Sequence, residues 1–294
     1  MAAMTLATLL WGATFVAIRD TLHAVAPVDL VFGRFVASTL VFGAMLALRP
    51  RALGRAALAG GALAGLGAGG CYLFQAIGLT ATSAGTSAFL TCTGTVLAAF
   101  FAWPLLGQRP SGVLVQGIAL ALAGSALLSA APLGGAPGGF RLGAGELWTL
   151  LGATLYALQI VAVARFAADA DPLALAGIQS LTVALLLLPF AHQAPAAFAA
   201  LDPASWRRFA YLAVAGTIVA PLLQVLAQRV LPAGRVALLF ALEPVFALLF
   251  ALTLGGEKFG PRWWLGAALI LGGVVRVEWR AARPSPAAPR PATS

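Results

Sequence analysis

YLFQAIGLTATSAGTSAFLTCTGTVLAAFFAWPLLGQ, residues 72–108, has a partner in PLLQVLAQRVLPAGRVALLFALEPVFALLFALTLGGE, residues 221–257, at an offset of 149 residues. The two stretches align without a gap, and twelve of their 37 positions are identical, including the polar match of Gln75 with Gln224. Self-similarity at a fixed offset is the signature of an internal repeat. The sequence therefore predicts a chain built from two related halves.

The composition indicates the environment of these halves. Of the 294 residues, 61% are hydrophobic and only 9% are charged, whereas a soluble domain carries about 25% charged residues. Such a chain cannot cover a surface that faces water, so the lipid bilayer is the expected partner. The formal charge of +9 comes from basic residues that flank apolar runs. These residues form no basic stripe, and nucleic acid is not an expected partner.

A helix that crosses a membrane needs about 20 mostly apolar residues. Ten segments meet this requirement: 4–22, 28–48, 56–79, 85–106, 111–130, 144–165, 172–190, 207–228, 234–254 and 260–279. Each half then holds five spans, and because five is odd, the second half enters the membrane from the opposite side. The predicted fold is an all-α membrane protein, with ten transmembrane helices as two inverted five-helix repeats around a central cavity. The predicted repeats are residues 1–135 and 140–280, and residues 281–294 are predicted to be a disordered tail.

The basic residues also predict an orientation. Eleven of them lie on the side that carries the N-terminus, six lie on the other side, and Arg34 falls within the second span. The positive-inside rule then places both termini in the cytoplasm. The bias towards Ala, Gly, Leu and Arg, with Lys258 as the single lysine, points to a GC-rich bacterial genome, and hence to a bacterial inner membrane.

Glu243 and Pro244 stand in the middle of an apolar segment, LLFALEPVFALLF at 238–250. An ionisable residue inside a span costs about 2.5–3.5 kcal/mol on insertion scales, so it is expected to face the interior of the bundle. The repeat aligns this pair with Gly94 and Thr95, and interrupted segments at matching positions mark binding sites in inverted repeats. A gating or coupling role is therefore predicted for these four residues. For Glu243, three roles remain open: a structural or gating contact, proton coupling, and direct contact with substrate.

The candidate substrate-binding residues are aromatic and polar side chains within the spans. They are Trp11, Thr14 and Phe15 in the first span, Tyr72 and Gln75 in the third, Trp148, Tyr156 and Gln159 in the sixth, and Gln224 in the eighth. Mixed aromatic and polar faces are typical of cavity linings. Packing and hydrogen bonding between helices explain the same pattern, and both interpretations remain open. Gly61, Gly65 and Gly69, at four-residue spacing in the third span, predict a face for close helix packing.

Three segments together resemble the drug/metabolite transporters with paired EamA domains: LLWGATFVAIRDTL at 9–22, APVDLVFGRFVAS at 26–38 and ALLFALEPVFALLFALTLGGE at 237–257. The resemblance covers residues 4 to 279 and implies a ten-helix bundle whose cavity is lined by spans 1, 3, 4, 6, 8 and 9. It also implies movement of small metabolites, often outward, and exporters of aromatic amino acids are among the similar proteins. The sequence departs from the family pattern at Gly94-Thr95, where a proline is frequent, and at Gln108, where a glutamate is frequent.

The expected function is that of an alternating-access transporter, exporting small metabolites such as amino acids with apolar side chains, by facilitated diffusion. A proton-coupled multidrug exporter of lipophilic cations is the alternative, and a membrane-embedded enzyme is a distant one. His23 and His192 lie near span ends without clustered Cys, Asp or Glu, so no catalytic residue, metal ligand set or cofactor is predicted. The expected partner is a small-molecule substrate. The oligomeric state is left open, and a monomer is consistent with the sequence.

Overall fold

The computed structural model describes residues 1–82, 84–129, 143–254 and 261–282. This part of the chain is helical and contains no strand. The helices are α1 (Ala2–Gly12), α2 (Thr14–Thr21), α3 (Pro27–Ala47), α4 (Arg55–Leu79), α5 (Ala84–Leu106), α6 (Gly112–Ser129), α7 (Ala144–Phe166), α8 (Pro172–Leu187), α9 (Ala194–Ala199), α10 (Pro203–Ala213), α11 (Ala220–Gln228), α12 (Ala233–Phe240), α13 (Glu243–Leu254) and α14 (Pro261–Ala282). A π-helical segment, Val214–Val219, joins α10 to α11, and Pro50–Ala52 forms a 3₁₀ turn. The predicted repeat boundaries at 135 and 140 lie outside the described residues. The predicted disordered tail of 281–294 begins too early, because Ala281 and Ala282 complete the last helix, and its remainder also lies outside the described residues.

These helices occupy the ten predicted spans in order. Three spans are composite: α1 and α2 form the first, α10, the π segment and α11 form the eighth, and α12 and α13 form the ninth. The second to seventh spans are α3 to α8, and the tenth is α14. In the described part of the chain, the first four spans, the sixth and the eighth are long and apolar enough to cross a membrane, and α6 and α8 are shorter apolar helices. The predicted all-α membrane fold is therefore confirmed. The face on which the first span begins is called the N-terminal face below.

Proline and aspartate fix where several spans begin. Proline is the first residue of α3, α8, α10 and α14, a position where its missing N–H costs nothing. Asp171 caps α8 by accepting hydrogen bonds from the backbone N–H groups of Leu173 (2.9 Å) and Ala174 (3.1 Å). Asp202 caps α10 in the same way, so the eighth span begins four residues before the predicted residue 207. The Ser205 hydroxyl, together with backbone N–H groups of that turn, lowers the pKa of Asp202.

The two halves interdigitate instead of forming separate bundles. Spans 2 and 7, 4 and 9, and 5 and 10 pack together, and each pair joins a span to its own counterpart. Spans 3 and 6 pack together, and so do their counterparts, spans 8 and 1. Spans 4 and 6 also pack together, and so do their counterparts, spans 9 and 1. Exchanging the halves leaves this pattern of pairs unchanged, as expected for inverted repeats related by a pseudo-two-fold axis. Each half therefore buries its helices mainly against the other half.

The glycine face of α4 lies against α8, as its spacing predicts. A Cβ atom on Gly61 would lie 2.6 Å from Ile178 Cβ, and a Cβ atom on Gly65 would lie 2.5 Å from Thr182 Cβ and 2.9 Å from the carbonyl oxygen of Gln179. Small residues let membrane helices approach closely enough for extensive van der Waals contact. Through Gly61 and Gly65 the third span therefore packs closely on the seventh.

Gly65→Ala is expected to destabilise the bundle by about 1–3 kcal/mol, the usual range for an overpacked core. Gly43→Ala is the matched control, because a Cβ atom on Gly43 would meet nothing within 4 Å. The melting temperature of the purified protein in detergent is the measurement. It should fall for Gly65→Ala and stay constant or rise for Gly43→Ala. Equal melting temperatures for the two variants would contradict the close packing of α4 on α8.

Candidate functional site

A small cavity lies beside Glu243, between the two halves. It consists of two adjoining spaces, of about 30 and 10 Å³, which share four lining residues: Thr91, Tyr156, Phe240 and Glu243. The larger space is also lined by Trp11, Thr14, Ile18, Cys71, Tyr72 and Gln75. The smaller is also lined by Ala88, Cys92, Thr95, Ile160 and Pro244. Together they form the central cavity, to which spans 1, 3, 4, 6 and 9 contribute. These are five of the six spans that the family resemblance implied.

The ninth span is interrupted at this cavity. Between α12 and α13, the N–H groups of Ala241 and Leu242 bond to carbonyl groups three residues back, at 3.0 and 3.1 Å. Pro244 explains the interruption, because it has no N–H and its ring clashes with the preceding turn. Glu243 consequently begins α13 and faces both parts of the cavity. Within the part of the chain that the structure describes, its carboxylate has no hydrogen-bond or ion-pair partner.

The first and eighth spans are also irregular. The first breaks at Ala13, between α1 and α2, and the eighth contains the π segment. A membrane interior offers no water to a backbone carbonyl at such a break, so neighbouring helices have to supply the donors. At two of the breaks a carbonyl accepts a side-chain donor from another span: Leu10 from the Tyr211 hydroxyl (2.7 Å) and Gly216 from Trp11 Nε1 (2.9 Å). At the ninth span, the Leu239 carbonyl accepts from the N–H of Leu242 at 3.1 Å.

The counterparts of the three irregular spans are regular. Spans 6, 3 and 4 correspond to spans 1, 8 and 9, and they are the single helices α7, α4 and α5. Gly94 and Thr95 lie within the unbroken α5. The predicted pair of matching interruptions is therefore present in one half only. Proline removes a backbone N–H, whereas glycine retains it and can remain in a helix that is packed on both sides.

Gly94 serves close packing instead. A Cβ atom there would lie 2.9 Å from the carbonyl oxygen of Ala153 in α7. In the other half, a Cβ atom on Gly12 would lie 3.1 Å from the carbonyl oxygen of Glu243. The repeat pairs Gly94 with Glu243 and Ala153 with Ala13. The crossing of spans 4 and 6 is therefore equivalent to the crossing of spans 9 and 1. The span that carries Glu243 crosses the break in the first span at this point.

Aromatic rings form one wall of the cavity. Trp11 stacks on Phe240 with the ring centroids 4.7 Å apart, and Tyr156 meets the same ring edge-on at 4.8 Å. Tyr72 donates a hydrogen bond to the Gly216 carbonyl at 3.2 Å. These contacts fix the rings around the carboxylate of Glu243.

Arg34 lies behind this wall. Its guanidinium carbon is 4.9 Å from the centroid of the Tyr72 ring, and its Nε donates to the Thr217 hydroxyl at 2.9 Å. The side chain is 1% exposed, so it is fully buried and does not snorkel to a membrane surface. The structural role predicted for Arg34 agrees with these contacts, which join the second span to the π segment.

Four glutamines form a buried network on the N-terminal side of the cavity. Gln159 donates to Gln179 at 3.1 Å, and Gln224 donates to Gln159 at 3.0 Å and to Gln228 at 2.9 Å. Gln228 in turn donates to the carbonyl of Ile160 at 2.7 Å. The network joins spans 6, 7 and 8, and its members satisfy one another.

Five of the nine predicted substrate-binding residues line the cavity: Trp11, Thr14, Tyr72, Gln75 and Tyr156. The other four lie outside these two spaces, and substrate binding by all nine stays a prediction. Phe15 packs in an apolar cluster with spans 2 and 8, and Gln159 and Gln224 belong to the glutamine network. Trp148 is 39% exposed and stacks on Phe74 at 5.1 Å. A role in gating or coupling for Gly94, Thr95, Glu243 and Pro244 stays a prediction.

Phe240 and Thr91 line both parts of the cavity and are absent from the residues predicted to bind substrate. A signal for both was present. Phe240 lies one helical turn before Glu243, and the repeat offset of 149 pairs it with Thr91. Both residues could have been predicted in two steps. The first step selects the side chains on the same helix face as the carboxylate of Glu243, and the second selects the residues that the repeat aligns with them.

The cavity combines one carboxylate with aromatic rings, a combination that can bind an ammonium group or another cation. Glu243 is the single carboxylate among the described lining residues, and aromatic faces attract cations through the ring quadrupole. Among the described residues, no group of His, Cys, Asp and Glu could hold a metal ion. Volumes of about 30 and 10 Å³ admit water but no organic solute, so the cavity has to widen before it can hold one.

Tyr211→Phe is expected to destabilise the protein by about 0.6–1.7 kcal/mol, the measured range for hydrogen bonds between membrane helices. The substitution removes only the hydroxyl that donates to Leu10 at the first break. Tyr156→Phe is the control, because the Tyr156 hydroxyl is buried without a partner among the described residues. Thermal unfolding in detergent should therefore show a loss for Tyr211→Phe and none for Tyr156→Phe. The reverse order would contradict the assigned hydrogen bond.

Comparisons with known proteins agree with this architecture. The sequence matches the model of the EamA-like transporter family twice, over residues 1–130 and 143–278. It is 28% identical over 281 residues to a protein of Archaeoglobus fulgidus named an uncharacterized transporter, covering 94% of this chain and 85% of that protein. A solved structure, described as the crystal structure of a protein, has the same fold, with a TM-score of 0.75 at 23% identity over 95% of this chain and 96% of that one. The chain therefore belongs to the EamA-like transporter family and is a multi-pass membrane transporter.

Proposed function

We propose that the protein is an alternating-access carrier whose substrate binds beside Glu243 in the central cavity. The observation that carries this proposal is the difference between matching spans. Spans 1, 8 and 9 are interrupted, whereas their counterparts 6, 3 and 4 are continuous. Two repeats of similar sequence that adopt different conformations can exchange those conformations, and the exchange would open the cavity to the other side of the membrane.

The proposed cargo is a small amine with an apolar side chain, for which an apolar or aromatic amino acid is the leading candidate. Its ammonium group would pair with the carboxylate of Glu243, and its side chain would pack on Trp11, Tyr156 and Phe240. Backbone groups at the breaks of the first and ninth spans would meet its carboxylate. With the carboxylate of Glu243 occupied by the substrate, facilitated diffusion is the simplest mode, and export is the direction that the family resemblance implies.

A lipophilic cation is the second candidate, and the aromatic wall favours it. Trp11 and Tyr156 flank Phe240 next to the carboxylate, an arrangement that also suits a quaternary ammonium group. In this case Glu243 would exchange the cation for a proton. The two candidates differ in cargo and in their response to a pH gradient.

Proteoliposomes with a panel of labelled amino acids and quaternary ammonium dyes test the cargo. We expect uptake of at least one apolar amino acid, down its own gradient, without stimulation by an imposed pH gradient. Transport of dyes alone, driven by a pH gradient, would replace the amino-acid proposal with the second candidate. Absence of transport for the whole panel in a monodisperse preparation would count against both. Faster release of the preloaded amino acid from cells that produce the protein tests the direction.

Glu243→Gln is expected to weaken transport of the identified cargo about 10- to 100-fold, mainly through affinity, because a hydrogen bond to a charged group is lost. Glu146→Gln is the control for loss of one carboxylate, since Glu146 bonds to Thr82 and lies outside the cavity. Unchanged transport by Glu243→Gln would contradict direct substrate contact. Unchanged transport with lost sensitivity to pH would indicate proton coupling instead.

A further inference from the structure

A wide groove opens on the N-terminal face, away from the central cavity. Its volume is about 1090 Å³, and it lies between the ends of the fourth, fifth, ninth and tenth spans. A Cβ atom on Gly112 or Gly272 would meet nothing within 4 Å, as expected for residues beside an open space. The groove shares no lining residue with the central cavity.

Four arginines line the groove: Arg109, Arg235, Arg276 and Arg280. Arg235 is neutralised by an ion pair with Glu278. Arg276 donates to the neutral side-chain oxygen of Gln116 at 2.7 and 3.1 Å, and Arg109 lies 5.8 Å from the centroid of the Trp103 ring. In the described ranges, no carboxylate pairs with Arg109, Arg276 or Arg280. Three positive charges in the groove thus have no compensating anion among the described residues.

The polarity of the groove changes with depth along α14. Gly272 lies one helical turn deeper than Arg276, and the exposed Val275 directly precedes Arg276 in the helix. Arg276 and Arg280, one helical turn apart, lie closer to the N-terminal face, and Trp279 lines the groove at the same level. An apolar inner end followed by a cationic outer end matches the profile of a phospholipid, with its acyl chains below its phosphate. Tryptophan at this level is typical of the membrane interface.

We propose that this groove binds the headgroup of an anionic phospholipid, with its phosphate held by Arg109, Arg276 and Arg280. Guanidinium groups match the oxygen geometry of a phosphate, and basic pockets between transmembrane helices bind anionic lipid headgroups. The groove is lined by both the fifth and the tenth spans, which pack together. The lipid therefore bridges the two halves of the chain at this pair of spans. Lipid binding here is independent of the identity of the transported solute.

The test uses the full chain in detergent, titrated with phosphatidylglycerol or phosphatidylcholine and analysed by native mass spectrometry. We expect selective retention of phosphatidylglycerol and a loss of affinity of about 30-fold for Arg276→Ala/Arg280→Ala. Arg51→Ala/Arg55→Ala is the matched control, since it removes two exposed arginines from the same face outside the groove. Arg280→Ala alone, with a smaller expected loss, replaces the double variant if that variant is not monodisperse.

Several outcomes would overturn the proposal. One is equal retention of the two lipids, and another is equal loss of affinity in the control pair. Displacement of the lipid by millimolar inorganic phosphate, with phosphate alone binding as tightly, would assign the groove to a soluble phosphorylated ligand. A dimer that dissociates when Arg276 and Arg280 are replaced would assign it to a second copy of the chain.

Discussion

The hydrogen-bonding requirement of the backbone inside a membrane governs this structure. Hydrocarbon offers no partner for a free carbonyl, so a spanning helix can be interrupted only where a neighbouring helix supplies a donor. Tyr211 and Trp11 supply such donors at the breaks of the first and eighth spans. Each donor lies on a different span from the carbonyl it satisfies. The breaks of the first and eighth spans therefore depend on each other, and a rearrangement at one of them changes the partner of the other.

The central cavity lies beside these irregular segments. Glu243 stands where the ninth span breaks, and its own carbonyl lies at the crossing with the break of the first span. On the opposite side of the cavity, α4 and α7 are continuous helices that pack closely through glycine. The carboxylate therefore lies between a group of interrupted spans and a pair of continuous helices.

Much of this arrangement could be predicted from sequence, because hydropathy, the repeat and the glycine spacing each record a constraint that acts along the whole length of a helix. The location of individual polar side chains was less predictable. Gln75 and Gln159 look alike as amides within apolar spans, yet Gln75 lines the cavity and Gln159 bonds to other glutamines. A buried amide finds hydrogen-bond partners in either setting, so only the positions of its neighbours decide whether it lines the cavity. The π segment could not be predicted for the same reason, since its stability rests on donors from distant spans.

The hydrogen bond between Arg34 and Thr217 has a consequence for biosynthesis. The two residues are 183 positions apart, and at ordinary elongation rates the ribosome needs about 10–40 s to cover that distance. If the spans enter the membrane in the order of their synthesis, Arg34 enters before the span that accepts its Nε–H has been made. Until then, the guanidinium of Arg34 would need other partners, such as lipid phosphates, water or the insertion machinery. A late step of assembly would then replace these partners with Thr217 of the eighth span.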